Sequence, residues 1–271
     1  MKCIICNSET SFYFNKKWEL PFKKFLEEAD FYKCPKCGFT FSKTVFDMDS
    51  TTWQTLNFNF HSYIEDLANP KQGNQPPYLE QALMLKLLIK NQIIDSKSII
   101  DYGGGMGSMS KVLKKYFEVE LPIYDPYIQS AESNGIIYLE KENIGKKKVV
   151  FNSALFEHIT KRDDIEQINR NVADDGVLII HTVICERIPK DPNWFYIVPP
   201  VHSALHTNKS MSILMKQFGY ISSLYCPSSK CWVLFKKEPA ELSKKIALIN
   251  KELQKDYLYY KKRFVDYWKG F

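Results

Sequence analysis

The 271 residues carry 45% hydrophobic and 25% charged side chains, the balance of an ordinary globular protein long enough to bury one large core beside an appendage. No stretch is apolar for long enough to span a bilayer, and the start Met1-Lys2-Cys3-Ile4-Ile5-Cys6 lacks the apolar run of a signal peptide, so a cytoplasmic protein with no membrane partner is expected. The net charge of +6 is mild: it suits an anionic small molecule, but solvated lysines on an ordinary surface explain it as well.

Residues 1–45 read as a four-cysteine zinc-binding module. Cys3-Ile4-Ile5-Cys6 and Cys34-Pro35-Lys36-Cys37-Gly38 make two C-x2-C turns, and two such turns complete a tetrahedral Zn2+ site. Four sulfurs leave no open position, so the metal is expected to be structural. Cys185, Cys226 and Cys231 read as buried or strand residues.

Residues 46–94 read as a connector and N-terminal helix. Periodicity is weak at first, with a short helix at Ser62–Ala68 and a turn-rich run from Asn69 to Pro77. Helical spacing starts at Tyr78 and predicts a buried face of Leu79, Leu83, Leu87 and Leu88.

Over residues 95–238 short apolar strands alternate with helices. Strands are expected at 98–102, 121–124, 135–139 (weak), 148–153 and 176–183, and helices at 108–116, 162–172 and 209–218. That alternation implies parallel pairing with helices on both faces. A Pro- and aromatic-rich loop covers Cys185–Pro200. Tyr220–Cys226 and Cys231–Lys236 are joined too tightly for a crossover and should pair antiparallel. In the last segment, 239–271, apolar residues at three- and four-residue steps (Leu242, Ile246, Ile249, Leu253, Tyr257, Tyr260, Phe264, Tyr267) predict one long amphipathic helix from Ala240 to Trp268. It would pack on the core or form a homodimer.

The segment richest in chemistry is Ile99-Ile100-Asp101-Tyr102-Gly103-Gly104-Gly105-Met106-Gly107-Ser108. Bare backbone at Gly103, Gly105 and Gly107 permits a sharp turn and close approach of a ligand, and the following helix N-terminus offers free N–H groups to an anion. Asp125, at the end of the next strand, can accept from two ribose hydroxyls. A dinucleotide fingerprint would need its third glycine at Ser108, and a P-loop would need Gly-Lys-Ser/Thr, so neither fits.

This Asp-x-Gly-x-Gly-x-Gly run resembles motif I of the class I S-adenosylmethionine-dependent methyltransferases. Val149-Val150-Phe151-Asn152-Ser153-Ala154-Leu155-Phe156-Glu157-His158-Ile159 is similar to that family's fourth strand and the Glu-His segment after it. Asp174-Asp175-Gly176 is similar to its entry into strand five, and Pro199-Pro200-Val201-His202 to its histidine loop; together these cover roughly residues 95–236. The resemblance implies an α/β fold with a doubly wound, mostly parallel seven-stranded Rossmann-like sheet. It also implies cofactor contacts at Asp101, Gly103, Gly105, Gly107 and Asp125, with Ser153 and Leu155 under the methionine part. The acid that often follows strand three is missing; Tyr138, Glu140 and Glu142 stand there instead.

If the acceptor must lose a proton, a base is needed. His202 is the first candidate, with His158 and Glu157 next. His206 reads as a helix cap, His181 as a sheet residue, and Trp194 with Tyr196 as a lid or acceptor wall. A four-cysteine segment ahead of such a domain resembles a bacterial group acting on surface-glycan precursors. That resemblance implies a nucleotide-linked or phosphorylated acceptor, a sugar or phosphoramidate group, in capsule biosynthesis, with O-methylation favoured. The alternative is an RNA methyltransferase whose zinc module grips nucleic acid. Glu19, Glu27, Glu28 and Asp30, interleaved with the lysines around the cysteines, weaken that case.

Overall fold

The computed structural model describes residues 1–64, 76–126, 128 and 135–266. In chain order the elements begin with β1 (Ser11–Lys17), β2 (Glu28–Lys33), β3 (Thr40–Ser42), α1 (Lys43–Phe46), α2 (Ser50–Ile64) and α3 (Tyr78–Lys90). Next come β4 (Ile99–Tyr102), α4 (Ser108–Phe117), β5 (Ile123–Tyr124), β6 (Lys147–Ser153), α5 (Arg162–Arg170) and β7 (Val172–His181). The chain closes with β8 (Ile184–Cys185), β9 (Ala204–Thr207), α6 (Asn208–Gln217), β10 (Ser222–Cys226), β11 (Cys231–Phe235), α7 (Leu242–Glu252) and β12 (Tyr259–Lys262). Among the described residues no helix is long and apolar enough to cross a membrane. The chain divides into two compact units, one of residues 1–75, 157–164 and 183–214, the other of 76–156, 165–182 and 215–271.

The first unit is built on a five-stranded sheet ordered β1-β2-β3-β9-β8. Its inner face is aromatic: Phe14 stacks on Phe31 at 5.0 Å, and Phe39 on Phe41 at 5.8 Å. Strands β8 and β9 flank a stretch read from sequence as loop alone, and β9 pairs antiparallel with β3. The connector holds a fifteen-residue helix, α2, rather than a short one at 62–68. Asp49 starts it by accepting the Thr52 N–H at 2.9 Å. Leu56 and Phe60 then pack with Phe22, Phe25 and Trp53. Residues 65–68, the rest of the predicted short helix, and 69–75, most of the turn-rich run, lie outside the described residues.

The second unit is a Rossmann-like α/β layer on a seven-stranded sheet ordered β12-β10-β11-β7-β6-β4-β5. Pairs β4–β5, β4–β6 and β6–β7 are parallel, whereas β7–β11, β11–β10 and β10–β12 are antiparallel. The sheet is therefore mixed, not mostly parallel. The difference arises at both edges: beside β5 the expected strand at 135–139 contributes only an isolated bridge, Ile123 to Tyr138, and at the opposite edge the seventh strand is β12.

That strand also corrects the long C-terminal helix. α7 stops at Glu252; the Asn250 side chain accepts the Leu258 N–H at 2.9 Å and donates to its carbonyl at 3.0 Å, folding the chain back. Tyr259 and Tyr260, residue types favoured in strands, then pair with Tyr225 and Leu224 on β10. The apolar stripe is real, but Leu242, Ile246, Ile249, Tyr257 and Leu258 are all buried in this unit's own core. Tyr267 and Trp268 lie outside the described residues. On α3 the buried side is centred on Gln81, Leu85 and Leu88, while Leu79, placed on the predicted face, is 55% exposed.

Candidate functional site

β4 is buried at all four positions and lies between β5 and β6. The chain leaves β4 toward one neighbour and later returns on the other side, so its carboxyl end is the switch point where open α/β sheets receive ligands. The glycine turn sits there. Gly103, Gly105 and Gly107 have φ of 79°, 53° and 76°, a region costly for residues with a Cβ. A Cβ on Gly104 would stand 2.8 Å from the Asp101 carboxyl, and one on Gly103 would stand 2.9 Å from Leu155. At Gly105 a Cβ would meet nothing within 4 Å, so bare backbone there faces open space.

Two groups hold that bare backbone in place. The Gly105 N–H donates to Asp125 Oδ2 at 2.9 Å, and the Tyr138 hydroxyl donates to the Gly105 carbonyl at 3.0 Å. Tyr138 thus stiffens the turn. Asp101 lies beneath it, fully buried; burial first, and then the nearby Asp125 charge, push its carboxyl up to about 8.

Ser153, ending β6, donates from Oγ to Gln81 Oε1 at 3.0 Å. Gln81 is completely buried, and its Nε2 has no hydrogen-bond partner among the described residues. A buried amide donor left unmatched is costly and calls for a ligand. Sequence periodicity missed Gln81 because it counted only leucines toward the buried side of α3, although Gln81 is buried together with Leu85 and Leu88. A carboxylate, an open stretch of backbone and a waiting amide donor suit a nucleoside bearing an amino-acid tail.

A methyltransferase-domain family model matches residues 75–221, more than half of the chain. The chain belongs to that family. Residues 75–221 are thus a methyltransferase domain. No curated protein matches it. Among solved structures it is similar to an O-methyltransferase family protein from Burkholderia thailandensis (16% identity, 73% of this chain and 63% of that one, TM-score 0.45). It is also similar to a putative O-methyltransferase from Nostoc punctiforme (12%, 70% and 62%, TM-score 0.45) and to the plantazolicin methyltransferase BpumL in complex with a monoazolic analogue and SAH (13%, 78% and 95%, TM-score 0.44). The chain spans less than two thirds of the Burkholderia and Nostoc proteins.

The first unit of this methyltransferase gathers His202, His158 and Glu157. Their ligating atoms all lie within 4.8 Å of one another. The Ser203 N–H donates to the Glu157 carbonyl at 2.8 Å, fastening the loop of His202 to the turn of His158. Hydrogen bonds also fix both tautomers. His202 Nδ1 lies 2.6 Å from the Tyr196 carbonyl and must donate to it. His158 Nδ1 lies 3.0 Å from Asn57 Oδ1, and the Asn57 amide is oriented by donating to the Trp53 carbonyl at 2.9 Å, so His158 also donates from Nδ1. Each ring keeps its lone pair on Nε2. Burial pushes His202 down to about 4 and His158 well below its usual range, so both are neutral near pH 7.

The Tyr196 ring packs tilted against His202 with centroids 4.7 Å apart, and its hydroxyl accepts the Val183 N–H at 3.0 Å, so it is a fixed wall of this cluster. His61 faces His158 at 5.3 Å. His206 does not cap a helix: it is buried in β9 against Phe39, and Thr207 caps instead, accepting the Ser210 N–H at 3.1 Å. His181 ends β7 in the second unit.

Cys3, Cys6, Cys34 and Cys37 also come together, with all four sulfurs within 4.8 Å of one another. The two turns share one geometry. In each, the first cysteine's carbonyl accepts an N–H four residues on, from Asn7 and Gly38, both at 2.9 Å. Each first cysteine's own N–H donates to the carbonyl five residues on, at Ser8 and Phe39, both at 2.8 Å. Asn7 and Gly38 close the turns with φ of 58° and 77°. Cys3 and Cys37 sulfurs are 3.6 Å apart, and Cys6 and Cys34 sulfurs 3.5 Å. Sulfurs around tetrahedral zinc stand roughly 3.8 Å apart. The set fits a metal ion.

Proposed function

We propose that this methyltransferase acts on an oxygen of a small anionic acceptor, a nucleotide-linked or phosphorylated precursor of a bacterial surface polysaccharide. The observation that carries the cofactor half is the Gly105 backbone, open on one side and tied to Asp125 on the other. Gly103, Gly105, Gly107 and Asp125 hold the nucleoside, Ser153 and Leu155 line the methionine end, and Gln81 donates to its polar tail. When bound, S-adenosylmethionine supplies an electrophilic methyl group on a good leaving sulfur.

A hydroxyl acceptor must lose its proton as the new bond forms. His202, with His158 and Glu157, is assigned to that side of the chemistry. Support comes from two neutral imidazoles with Nε2 lone pairs held available. The four-cysteine cluster takes structural Zn2+, which stabilises a segment with little core of its own. The acceptor class is supported by the net charge of +6 and by the likeness of a four-cysteine segment plus this domain to enzymes of surface-glycan precursors.

A panel of nucleotide-linked sugars, phosphorylated sugars, phosphoramidates and short RNAs, offered with isotopically labelled S-adenosylmethionine and read by mass, tests the proposal. Labelled product from a small anionic compound is expected. Labelled RNA alone would replace the acceptor assignment.

A further inference from the structure

We infer that Glu157, His158 and His202 form a second metal site, distinct from the four cysteines, that binds one divalent transition-metal ion of the zinc type and leaves coordination positions open. The donor set is two imidazoles and one carboxylate, drawn from two chain segments, and such sets hold a catalytic metal with open positions for water or substrate.

The argument rests on the second sphere as much as on the ligands. A metal-binding histidine characteristically donates its other ring N–H to a carbonyl or carboxylate, which fixes the tautomer and aims the lone pair at the ion. Here both rings do so: His202 Nδ1 to the Tyr196 carbonyl at 2.6 Å, and His158 Nδ1 to Asn57 Oδ1 at 3.0 Å. Asn57 is itself fixed by the Trp53 carbonyl, and Tyr196 by the Val183 N–H. The two rings stand edge to face, with centroids 5.5 Å apart, so they share a corner without stacking. Donors around a tetrahedral ion lie roughly 3.4 Å apart. The three here lie within 4.8 Å of one another, before any ion draws them in. Imidazole and carboxylate together suit Zn2+, Mn2+ or Fe2+ better than Mg2+ or Ca2+, which favour all-oxygen cages.

An ion with three protein ligands accepts an oxygen from a small molecule and lowers the pKa of a bound hydroxyl, whose proton then leaves to solvent. This use of the site rests on the proposed methyl transfer to an alcohol; the binding of the ion does not. It replaces direct proton uptake at His202 Nε2, because a nitrogen that ligates the ion has no lone pair left for a proton.

The test counts metal on the full chain. Wild type, His202→Ala, Glu157→Gln and Cys34→Ser are stripped with chelator, checked for native circular dichroism, titrated with Zn2+ calorimetrically and measured for bound metal. Wild type should take one equivalent more than either His202→Ala or Glu157→Gln, and Cys34→Ser should retain that equivalent. Equal metal in wild type and Glu157→Gln, the near-isosteric change, would overturn the inference whether or not His202→Ala folds. Because the readout is metal rather than product, a failed acceptor screen leaves it standing, and a failed titration leaves methyl transfer standing.

Discussion

Gly105 and Asp125, twenty residues apart, are joined by a hydrogen bond from backbone N–H to carboxylate at 2.9 Å. The contact aligns the carboxylate with the open face of the turn, so each depends on the other. Asp125→Ala should weaken binding of S-adenosylhomocysteine about 10- to 100-fold, the loss of hydrogen bonds to a charged acceptor. Gly105→Ala should weaken it too, since φ of 53° strains any L residue by about 1–2 kcal/mol and the added methyl enters the ligand's space. Isothermal titration of both variants checks this; unchanged affinity in Asp125→Ala would remove the carboxylate from the cofactor site.

Gln81 separates ligand binding from stability. Replacing a buried, half-satisfied amide by leucine of similar size is close to neutral for folding. Gln81→Leu should therefore keep its Tm within a few degrees while losing about 3- to 10-fold in cofactor affinity, one neutral hydrogen bond. An unchanged affinity would mean that the amide only braces Ser153.

Asp101 predicts a pH dependence with a definite sign. Its carboxyl is raised from the ordinary 3.8 to about 8 by burial. The unfolded chain ionises first as pH rises, so the folded state loses stability across the window from about 4 to 8, by at most about 1.4 kcal/mol per pH unit. Asp101→Asn removes this titration. Relative to wild type, it should gain stability steadily from pH 4 to pH 8 in urea melts. A constant difference would show that the carboxyl is not raised.

The cysteine module should respond to metal removal. A strong chelator, or Cys34→Ser, should lower the thermal midpoint of the first unit by several degrees, and Cys34→Ser should hold one Zn2+ per chain fewer than wild type. Cofactor affinity measured below that midpoint should change little. Retention of the full midpoint after complete zinc loss would contradict a structural role.

Much of the central sheet was legible in the sequence because local and global signals agree there. A short apolar strand, three left-handed glycines and a helix start place the turn at 103–107, and the Cys226–Cys231 hairpin follows from a connection too short to cross over. What escaped was decided by distant partners. Tyr259–Lys262 satisfies a helical stripe as well as a strand, and only the open edge of β10 selects the strand. β9 is four residues long and exists because β3 offers it a ladder. Among the candidate side chains, the motif residues were named. The carbonyl and amide oxygens that set the His158 and His202 tautomers come from Asn57 and Tyr196, whose positions no spacing rule reveals.

The most direct measurement is calorimetric titration of the folded, zinc-loaded full chain with S-adenosylmethionine and S-adenosylhomocysteine. One site per chain, weakened by Asp125→Ala, is the expected result. Absence of heat and of thermal stabilisation with either nucleoside would contradict the reading of the 103–107 turn on which methyl transfer depends.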